Sequence, residues 1–142
     1  MIKFFQKEEE EQIIAAIVEA ENQTSGEIRV HLEDNCKGDI LTAAKRTFRK
    51  LKMHKTDARN GILIFLAPER KEFAILGDEG INNLVGDNFW AEERDLMQRN
   101  FKEGKFTQGI CLAIAEIGEK LKIHFPYQSD DVNELPDDIS YG

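Results

Sequence analysis

Six side chains that carry oxygen atoms stand close to the ends of short apolar segments in this sequence: Glu21, Ser25, Glu27, Asp57, Asn60 and Asp78. Carboxylate, amide and hydroxyl oxygens are the ligands that Ca²⁺ and Mg²⁺ prefer. Glu21 continues the apolar face of a predicted helix and lies at its negative end, where a carboxylate is unfavourable unless a cation compensates it. The six residues therefore predict a divalent-cation site. Calcium is the preferred ion in this prediction, and magnesium or another divalent metal is the alternative. Ion pairs of these acids with Arg29 or Arg59 would explain the same pattern equally well.

A strand-helix-strand unit would position these residues. The segment 27–33 alternates polar and apolar residues, as a half-buried strand does, and the apolar run 62–66 is typical of a buried strand. Between them, Asp39 is a suitable N-cap for a helix. A right-handed crossover makes the two strands parallel, so both begin at the same end of the sheet. A third strand, 73–76, returns antiparallel and brings Asp78 close to the residues that precede the second strand.

Three further helices are predicted from apolar residues at helical spacing, over residues 8–21, 88–101 and 106–122. Together the elements predict an α/β fold with a small mixed β-sheet of three strands. The sheet combines the βαβ unit with an antiparallel hairpin and is packed by about four helices in a Rossmann-like sandwich. Residues 1–125 form the single domain in this prediction. Residues 126–142 follow as an acidic C-terminal tail with too few apolar side chains for a core of its own.

The composition restricts the classes of protein to consider. The chain has 142 residues, 41% of them hydrophobic and 32% charged, which is typical of one soluble globular domain. Its net charge of -8 repels phosphate backbones and argues against nucleic acid as a partner. Residues 1–7 lack the features of a signal peptide, and no apolar run reaches the roughly 20 residues that span a bilayer. A cytoplasmic location without an integral membrane segment is therefore expected.

Motifs of covalent catalysis are scarce in the sequence. It contains no Gly-x-Ser-x-Gly turn and no cysteine beside a histidine, so covalent hydrolase chemistry has little support. The two cysteines predict neither a disulfide framework nor a zinc site. The turn Gly77-Asp78-Glu79-Gly80 could hold an anion through its N–H groups, but it lacks the lysine of a phosphate loop. A plain turn with glycines at positive φ is the simpler interpretation.

Two charged segments offer further binding surfaces. Four residues of the acidic tail carry calcium-type ligands without the glycine of an EF-hand loop, so a tail without a bound ion is the simpler expectation: Asp130, Asp131, Asn133 and Glu134. Six basic side chains share the outer face of the second predicted helix: Lys45, Arg46, Arg49, Lys50, Lys52 and Lys55. A face exposed to solvent is the simpler interpretation, and a binding surface for an acidic protein partner or an anionic membrane is the alternative.

Four motifs occur in the order and spacing of a known family: Glu21-x-x-Thr24-Ser25-Gly26-Glu27-Ile28-x-Val30, Arg59-Asn60-Gly61-Ile62-Leu63, Ala74-Ile75-x-Gly77-Asp78-x-Gly80-Ile81 and Phe101-x-x-Gly104-x-Phe106-x-x-Gly109. With them the chain resembles a TPM domain over nearly its whole length. The resemblance implies a small α/β sandwich and metal binding, usually of calcium, at acidic loops near one end of the sheet. For some members it also implies acid phosphatase activity, and for others an accessory role beside membrane complexes.

Two departures from the family pattern affect these expectations. Many relatives carry a signal peptide and a membrane anchor that are not recognisable here, so exported roles are not expected to transfer. Many also have Asp-Asn-Gly where this chain has Arg59-Asn60-Gly61, which removes one acidic ligand and leaves Asp57 as its substitute. The leading expectation is a calcium-binding module with an accessory or regulatory role. The alternative is a metal-dependent acid phosphatase that acts on phosphomonoesters through a metal-activated water.

Overall fold

The fold is given by a computed structural model that describes residues 4–86, 88–127 and 137–142. The described residues form five α-helices: α1 (Lys7–Glu21), α2 (Ile40–Lys50), α3 (Glu79–Asn82), α4 (Ala91–Lys102) and α5 (Phe106–His124). They also form four strands: β1 (Glu27–Leu32), β2 (Gly61–Ala67), β3 (Glu72–Gly77) and β4 (Ile139–Tyr141). Within these ranges, no helix has both the length and the apolar content needed to cross a membrane.

The four strands form one mixed sheet in the order β3-β2-β1-β4. β1 runs parallel to β2, with Glu27 opposite Gly61, and parallel to β4 on its other side. β3 runs antiparallel to β2, with Gly77 opposite Ile62. The predicted βαβ unit and hairpin are therefore confirmed. Strands β1 and β2 begin, and β3 ends, at one end of the sheet, which we call the entry end.

Helices cover both faces of the sheet, because alternate side chains of a strand point to opposite sides. Ile28 and Ile64 face a core that α1, α4 and α5 close. Leu63 and Phe65 face a second, smaller core against α2. All seven residues of β2 are buried, as expected for a strand covered on both faces. The sequence-based prediction of an α/β sandwich is confirmed.

Close packing between α1 and α5 fixes where α1 ends. A Cβ added to Gly118 of α5 would lie 2.8 Å from the Cβ of Ala20 in α1, so only glycine permits this approach. The contact holds the C-terminal end of α1 against the core. Glu21, the next residue, therefore lies at the entry end of the sheet, and the last turn of α1 contains no basic residue.

The sheet has four strands rather than the three predicted from the sequence. Residues 139–141, assigned to the acidic tail, form β4 beside β1. The Tyr141 hydroxyl donates to the carboxylate of Glu10, and the N–H of Gly142 donates to the carbonyl oxygen of Leu32 at 2.9 Å. The prediction failed because a strand of three residues is too short to show a period, and its pairing partner is distant in the chain.

The four predicted helices are present, with one boundary displaced and one short helix added. α4 begins at Ala91 rather than at Asn88, because residues 88–90 form a turn in which the Ala91 N–H donates to the Asn88 carbonyl at 3.1 Å. Phe89 and Trp90 pack on the core from this turn, and so extend the helical pattern towards the N-terminus. The added helix, α3, is a single turn after β3.

Candidate functional site

The loops before β1 and β2 and the turn after β3 meet at the entry end of the sheet. The N–H of Glu27 donates to the carbonyl oxygen of Asn60 at 3.3 Å, which joins the first two loops. The N–H of Gly80 donates to the carbonyl oxygen of Arg59 at 2.9 Å, which joins the second loop to the turn. Polar residues from three separate parts of the sequence are thereby brought together, as the strand order predicts.

Gly80 is required by the closeness of two backbone segments. A Cβ at this position would lie 2.2 Å from the carbonyl oxygen of Ala58 and 2.5 Å from that of Arg59. Neither Gly77 nor Gly80 has its φ in the left-handed region, so the interpretation based on positive φ is wrong. The glycine instead allows α3 to lie directly on the loop before β2.

Asp78 is engaged by protein groups on both carboxylate oxygens. Oδ2 accepts from Nε of Arg59 at 2.8 Å, and Oδ1 accepts from a terminal guanidinium nitrogen of Arg59 at 3.0 Å and from the N–H of Glu79 at 2.8 Å. Asp78 therefore caps α3 and occupies the N–H group that the turn could have offered to an anion. Asp78 thus forms the ion pair with Arg59 that the sequence offered as an alternative. A role of Asp78 as a cation ligand stays a prediction.

Asn60 and Ser25 lie together inside the entry end. Asn60 is 1% exposed, and its Nδ2 donates to Oγ of Ser25 over a long 3.5 Å. The Asn60 Oδ1 atom is buried and accepts no hydrogen bond from the described residues. Burying an amide oxygen without a donor is unfavourable, and such an oxygen is a good ligand for a hard cation.

Glu21 belongs to a cluster of carboxylates beside this pair. Its Oε2 accepts a hydrogen bond from the N–H of Ile28 at 2.8 Å. Burial raises the pKa of Glu21 to about 10, a hydrogen bond between its carboxyl group and Asp137 raises it further, and the charges of Glu27 and Asp137 add to the rise. Glu27 itself is 3% exposed at the start of β1. As the position of Glu21 in the sequence predicts, its negative charge is unfavourable here.

Asp137 is the member of the cluster that could not be found from the sequence. It lies two residues before β4, where Asp138 accepts a hydrogen bond from the N–H of Ile139 at 2.7 Å. The Oδ1 atom of Asp137 is buried and lacks a hydrogen-bond partner in the described parts of the chain. An acid of the tail can be assigned to this end of the sheet only once β4 is known to pair with β1.

Asp57, another predicted ligand, lies outside this buried cluster. Asp57 is exposed on the loop before β2, and this residue has an interaction partner of its own. It therefore adds no buried oxygen, although it was proposed from the sequence together with the other five residues. The tail residues considered for calcium lie outside the described residues: Asp130, Asp131, Asn133 and Glu134.

A second polar arrangement joins β4 to β1. Nδ1 of His31 lies 2.7 Å from Oγ of Ser140, and Nε2 lies 2.8 Å from Oε1 of Glu33. Burial lowers the pKa of His31, so the imidazole is neutral at pH 7. The carboxylate of Glu33 requires a donor on Nε2, so Nδ1 accepts from the Ser140 hydroxyl. The sequence gave no indication of this serine-histidine-glutamate set, because Ser140 lies 109 positions from His31.

The chemistry of the entry-end cluster can be judged from its donors. Glu21, Glu27 and Asp137 carry carboxylates, Asn60 an amide oxygen and Ser25 a hydroxyl, but among the described residues the three carboxylates do not all approach one another within 4.8 Å. Oxygen-only sets of this kind fit Ca²⁺ or Mg²⁺ and are poor sites for metals that prefer nitrogen or sulfur. Calcium accepts the irregular geometry that three independent loops and a tail would provide. We call these five residues the entry-end cluster.

Comparisons with known proteins agree with the observed fold. The family model described as TPM domain matches residues 2–120. The NMR structure of the BA42 protein from the psychrophilic Bizionia argentinensis is 46% identical, has a TM-score of 0.94, and covers 100% of this chain and 98% of that chain. The NMR structure of the N-terminal domain of a protein from P. gingivalis is 14% identical with a TM-score of 0.69, over 87% of this chain and 82% of that chain, and supports the fold alone. None of the curated proteins matches the sequence.

Proposed function

The chain belongs to the TPM domain family, and from this premise we propose that it is a divalent-cation binding module, with calcium as the preferred ion. Glu21, Ser25, Glu27 and Asn60, proposed from the sequence, hold the ion together with Asp137 from the segment before β4. The module has an accessory or regulatory role in the cytoplasm, as the sequence predicts. Asp57 and Asp78 remain outside the proposed ligand set.

One observation carries this proposal: two buried oxygen atoms at the entry end have no hydrogen-bond donor among the described residues. They are Oδ1 of Asn60 and Oδ1 of Asp137. Native proteins pair the great majority of their buried polar atoms, so an unpaired one calls for a ligand, an ion or a water molecule. An ion is favoured over water here, because burial and the neighbouring carboxylates together raise the pKa of Glu21 to about 10. A divalent cation would satisfy the oxygens and neutralise the carboxylates together.

The bound ion would connect parts of the chain that are far apart in sequence. Glu21 ends α1, Glu27 begins β1, Asn60 precedes β2 and Asp137 precedes β4. A ligand that binds only the folded arrangement stabilises it in proportion to its concentration over its Kd. This fits an accessory protein that responds to the concentration of an ion.

The alternative function, a metal-dependent acid phosphatase, would use the same cluster. The bound cation would polarise the phosphoryl group of a monoester and acidify a water molecule. Calcium supplies little of this acidification, because its oxygen shell is flexible and weakly polarising. We therefore rank cation binding before catalysis.

Calorimetric titration of calcium into chelator-treated protein tests the proposal. Asp137→Asn and Glu27→Gln each keep an oxygen atom and lose a charge, and should weaken calcium binding at least about tenfold, or 1.4 kcal/mol. Glu19→Gln is the matched control, since Glu19 is an exposed acid on α1 outside the cluster. It should bind calcium as the unchanged protein does. Absence of calcium binding at millimolar concentration, with no rise in Tm, would reject the proposed function.

A further inference from the structure

A second group of acids lies between α4 and α5, separate from the entry-end cluster. Glu92 and Glu93 belong to the first turn of α4, and Glu116 lies on α5. One carboxylate oxygen from each of the three residues lies within 4.8 Å of the other two. The positive end of a helix dipole favours acids in the first turn of α4, but this effect does not apply to Glu116 in the middle of α5.

Glu93 shows that the group is incompletely satisfied. Its side chain is fully buried, with 0% exposed. Oε1 accepts a hydrogen bond from Nζ of Lys120 at 2.8 Å, whereas Oε2 is buried and has no hydrogen-bond partner among the described residues. Lys120 also donates to the carbonyl oxygen of Phe89 at 2.6 Å and lies over that ring. The ammonium group of Lys120 therefore contacts Oε1 of Glu93 and leaves Oε2 without a hydrogen bond from it.

The charges of the group suit a divalent ion. Three carboxylates and the one ammonium of Lys120 leave two negative charges. Burial raises the pKa of Glu116, and a hydrogen bond with the Glu93 carboxylate and the charges of Glu93 and Glu92 raise it further, so that in the absence of an ion a proton is held between Glu116 and Glu93. The closeness of the acids is therefore unfavourable without a positive ion among them.

Solvent can reach the group from one side. A polar cavity of about 430 Å³ opens beside α4 and α5, and Glu92 and Glu116 form part of its wall. The cavity leaves room for water molecules on an ion that takes only three protein oxygens. Magnesium in particular keeps several of its waters when proteins bind it.

We propose that Glu92, Glu93 and Glu116 form a second divalent-cation site, in which each residue supplies one carboxylate oxygen and water completes the shell. The fully buried Oε2 of Glu93 is the inner ligand, and the other two acids close the site towards the cavity. This site shares no residue with the entry-end cluster. Its existence does not depend on the function proposed above.

Terbium is a suitable probe, because it replaces calcium at oxygen sites and is excited by a nearby tryptophan. Trp90, the one tryptophan of the chain, lies with its ring centroid 5.8 Å from Nζ of Lys120. Titration of terbium into the chelator-treated full chain should give sensitised emission that magnesium or calcium reverses. Glu116→Gln and Glu92→Gln should each weaken this terbium binding at least tenfold.

Matched variants distinguish the two sites. Glu119→Gln removes an exposed acid from the same helix and should bind terbium as the unchanged protein does. Calcium binding by equilibrium dialysis should show two ions per chain, one lost in Glu116→Gln and the other in Glu21→Gln. Loss of an ion in Glu116→Gln alone supports this site even if the entry-end cluster binds nothing.

Two results would overturn the second site. The first is terbium and calcium binding by folded Glu116→Gln and Glu92→Gln that equals that of the Glu119→Gln control. The second is a Glu116→Gln variant that changes the pH dependence of stability but leaves the number of bound metal ions unchanged. This result would show that Glu116 and Glu93 share a proton instead of an ion. Circular dichroism of each variant establishes that the comparison is made between folded proteins.

Discussion

The raised pKa of Glu21 predicts that calcium binding is coupled to the release of one proton. The pKa of this carboxyl lies near 10 in the folded protein, against an ordinary value of 4.5. Between pH 7 and pH 9, folded protein without calcium therefore keeps a proton on Glu21, and the unfolded chain does not. Calcium binding must remove that proton, because a ligand carboxylate is ionised.

The size of the effect follows from one proton. A group protonated in the folded state and ionised in the unfolded state lowers the free energy of unfolding by about 1.4 kcal/mol for each unit that the pH rises. The raised pKa thus contributes stability that is fully present below pH 4.5 and is lost as the pH rises to about 10. From pH 7 to pH 9 this loss is about 3 kcal/mol, while the apparent calcium affinity rises about 100-fold.

The assay combines calcium calorimetry with chemical denaturation at pH 7, 8 and 9. Titration in two buffers with different heats of ionisation counts the protons released. Glu21→Gln, which carries a neutral group at every pH, should release none, bind calcium at least about tenfold more weakly at pH 9, and lack this pH slope of stability. The control Glu19→Gln, with its substitution at an exposed acid of α1, should behave as the unchanged protein.

Two results would refute this reasoning. The first is calcium binding without proton release across the window, which would mean that Glu21 is already ionised in the folded protein. The second is an unchanged pH slope in Glu21→Gln, which would assign the proton to another group. Either result is interpretable, because the free energy of unfolding is measured on the same samples and identifies a variant that has failed to fold.

Three further predictions concern the surrounding structure. In urea denaturation, Gly80→Ala should lower the free energy of unfolding by about 2 kcal/mol or more, because the added Cβ would lie 2.2 Å from a carbonyl oxygen. The control Gly86→Ala has open space around the added Cβ and should change the free energy of unfolding by less than about 0.5 kcal/mol. Asp78→Ala should cost about 1–2 kcal/mol in the same assay, because the carboxylate caps α3 and holds Arg59; an unchanged midpoint would contradict this. The rate of aryl phosphate hydrolysis should be far below the ~10 per second of a typical enzyme. Any such activity should disappear when a chelator is added and should be the same in Ser140→Ala as in the unchanged protein. A fast rate that added metal restores would favour the phosphatase function.

The elements with many residues were predictable from the sequence, and the short ones were not. The alternation in β1 and the apolar run of β2 follow directly from burial on one or both faces, so their pattern is visible without the structure. Asp39 was recognisable as an N-cap because the Thr42 N–H must find an acceptor, and it donates to Asp39 at 3.0 Å. A strand of three residues such as β4 has no such pattern.

The candidate site was predictable only as far as local rules reach. Strand order brought Glu21, Glu27 and Asn60 to one end of the sheet, because parallel strands begin at the same end. Asp137 was missed because its position depends on β4, which depends on a pairing across most of the chain. For Asp78 the sequence left both an ion and Arg59 open as partners, because spacing in a sequence does not say which of two nearby partners a carboxylate takes.

The pairing of β4 with β1 has a consequence for the order of folding. His31 and Ser140 are 109 positions apart in the chain, so this contact closes a very long loop. Closing long loops costs entropy before any contact is gained, and non-local pairings form slowly. We expect β4 to dock after the remaining sheet has formed and to open first in native-state hydrogen exchange. Asp137 adjoins β4, so an ion bound to Asp137 and the neighbouring acids should slow hydrogen exchange at the β4 amides. The exchange rate of these amides therefore reports whether the ion is bound.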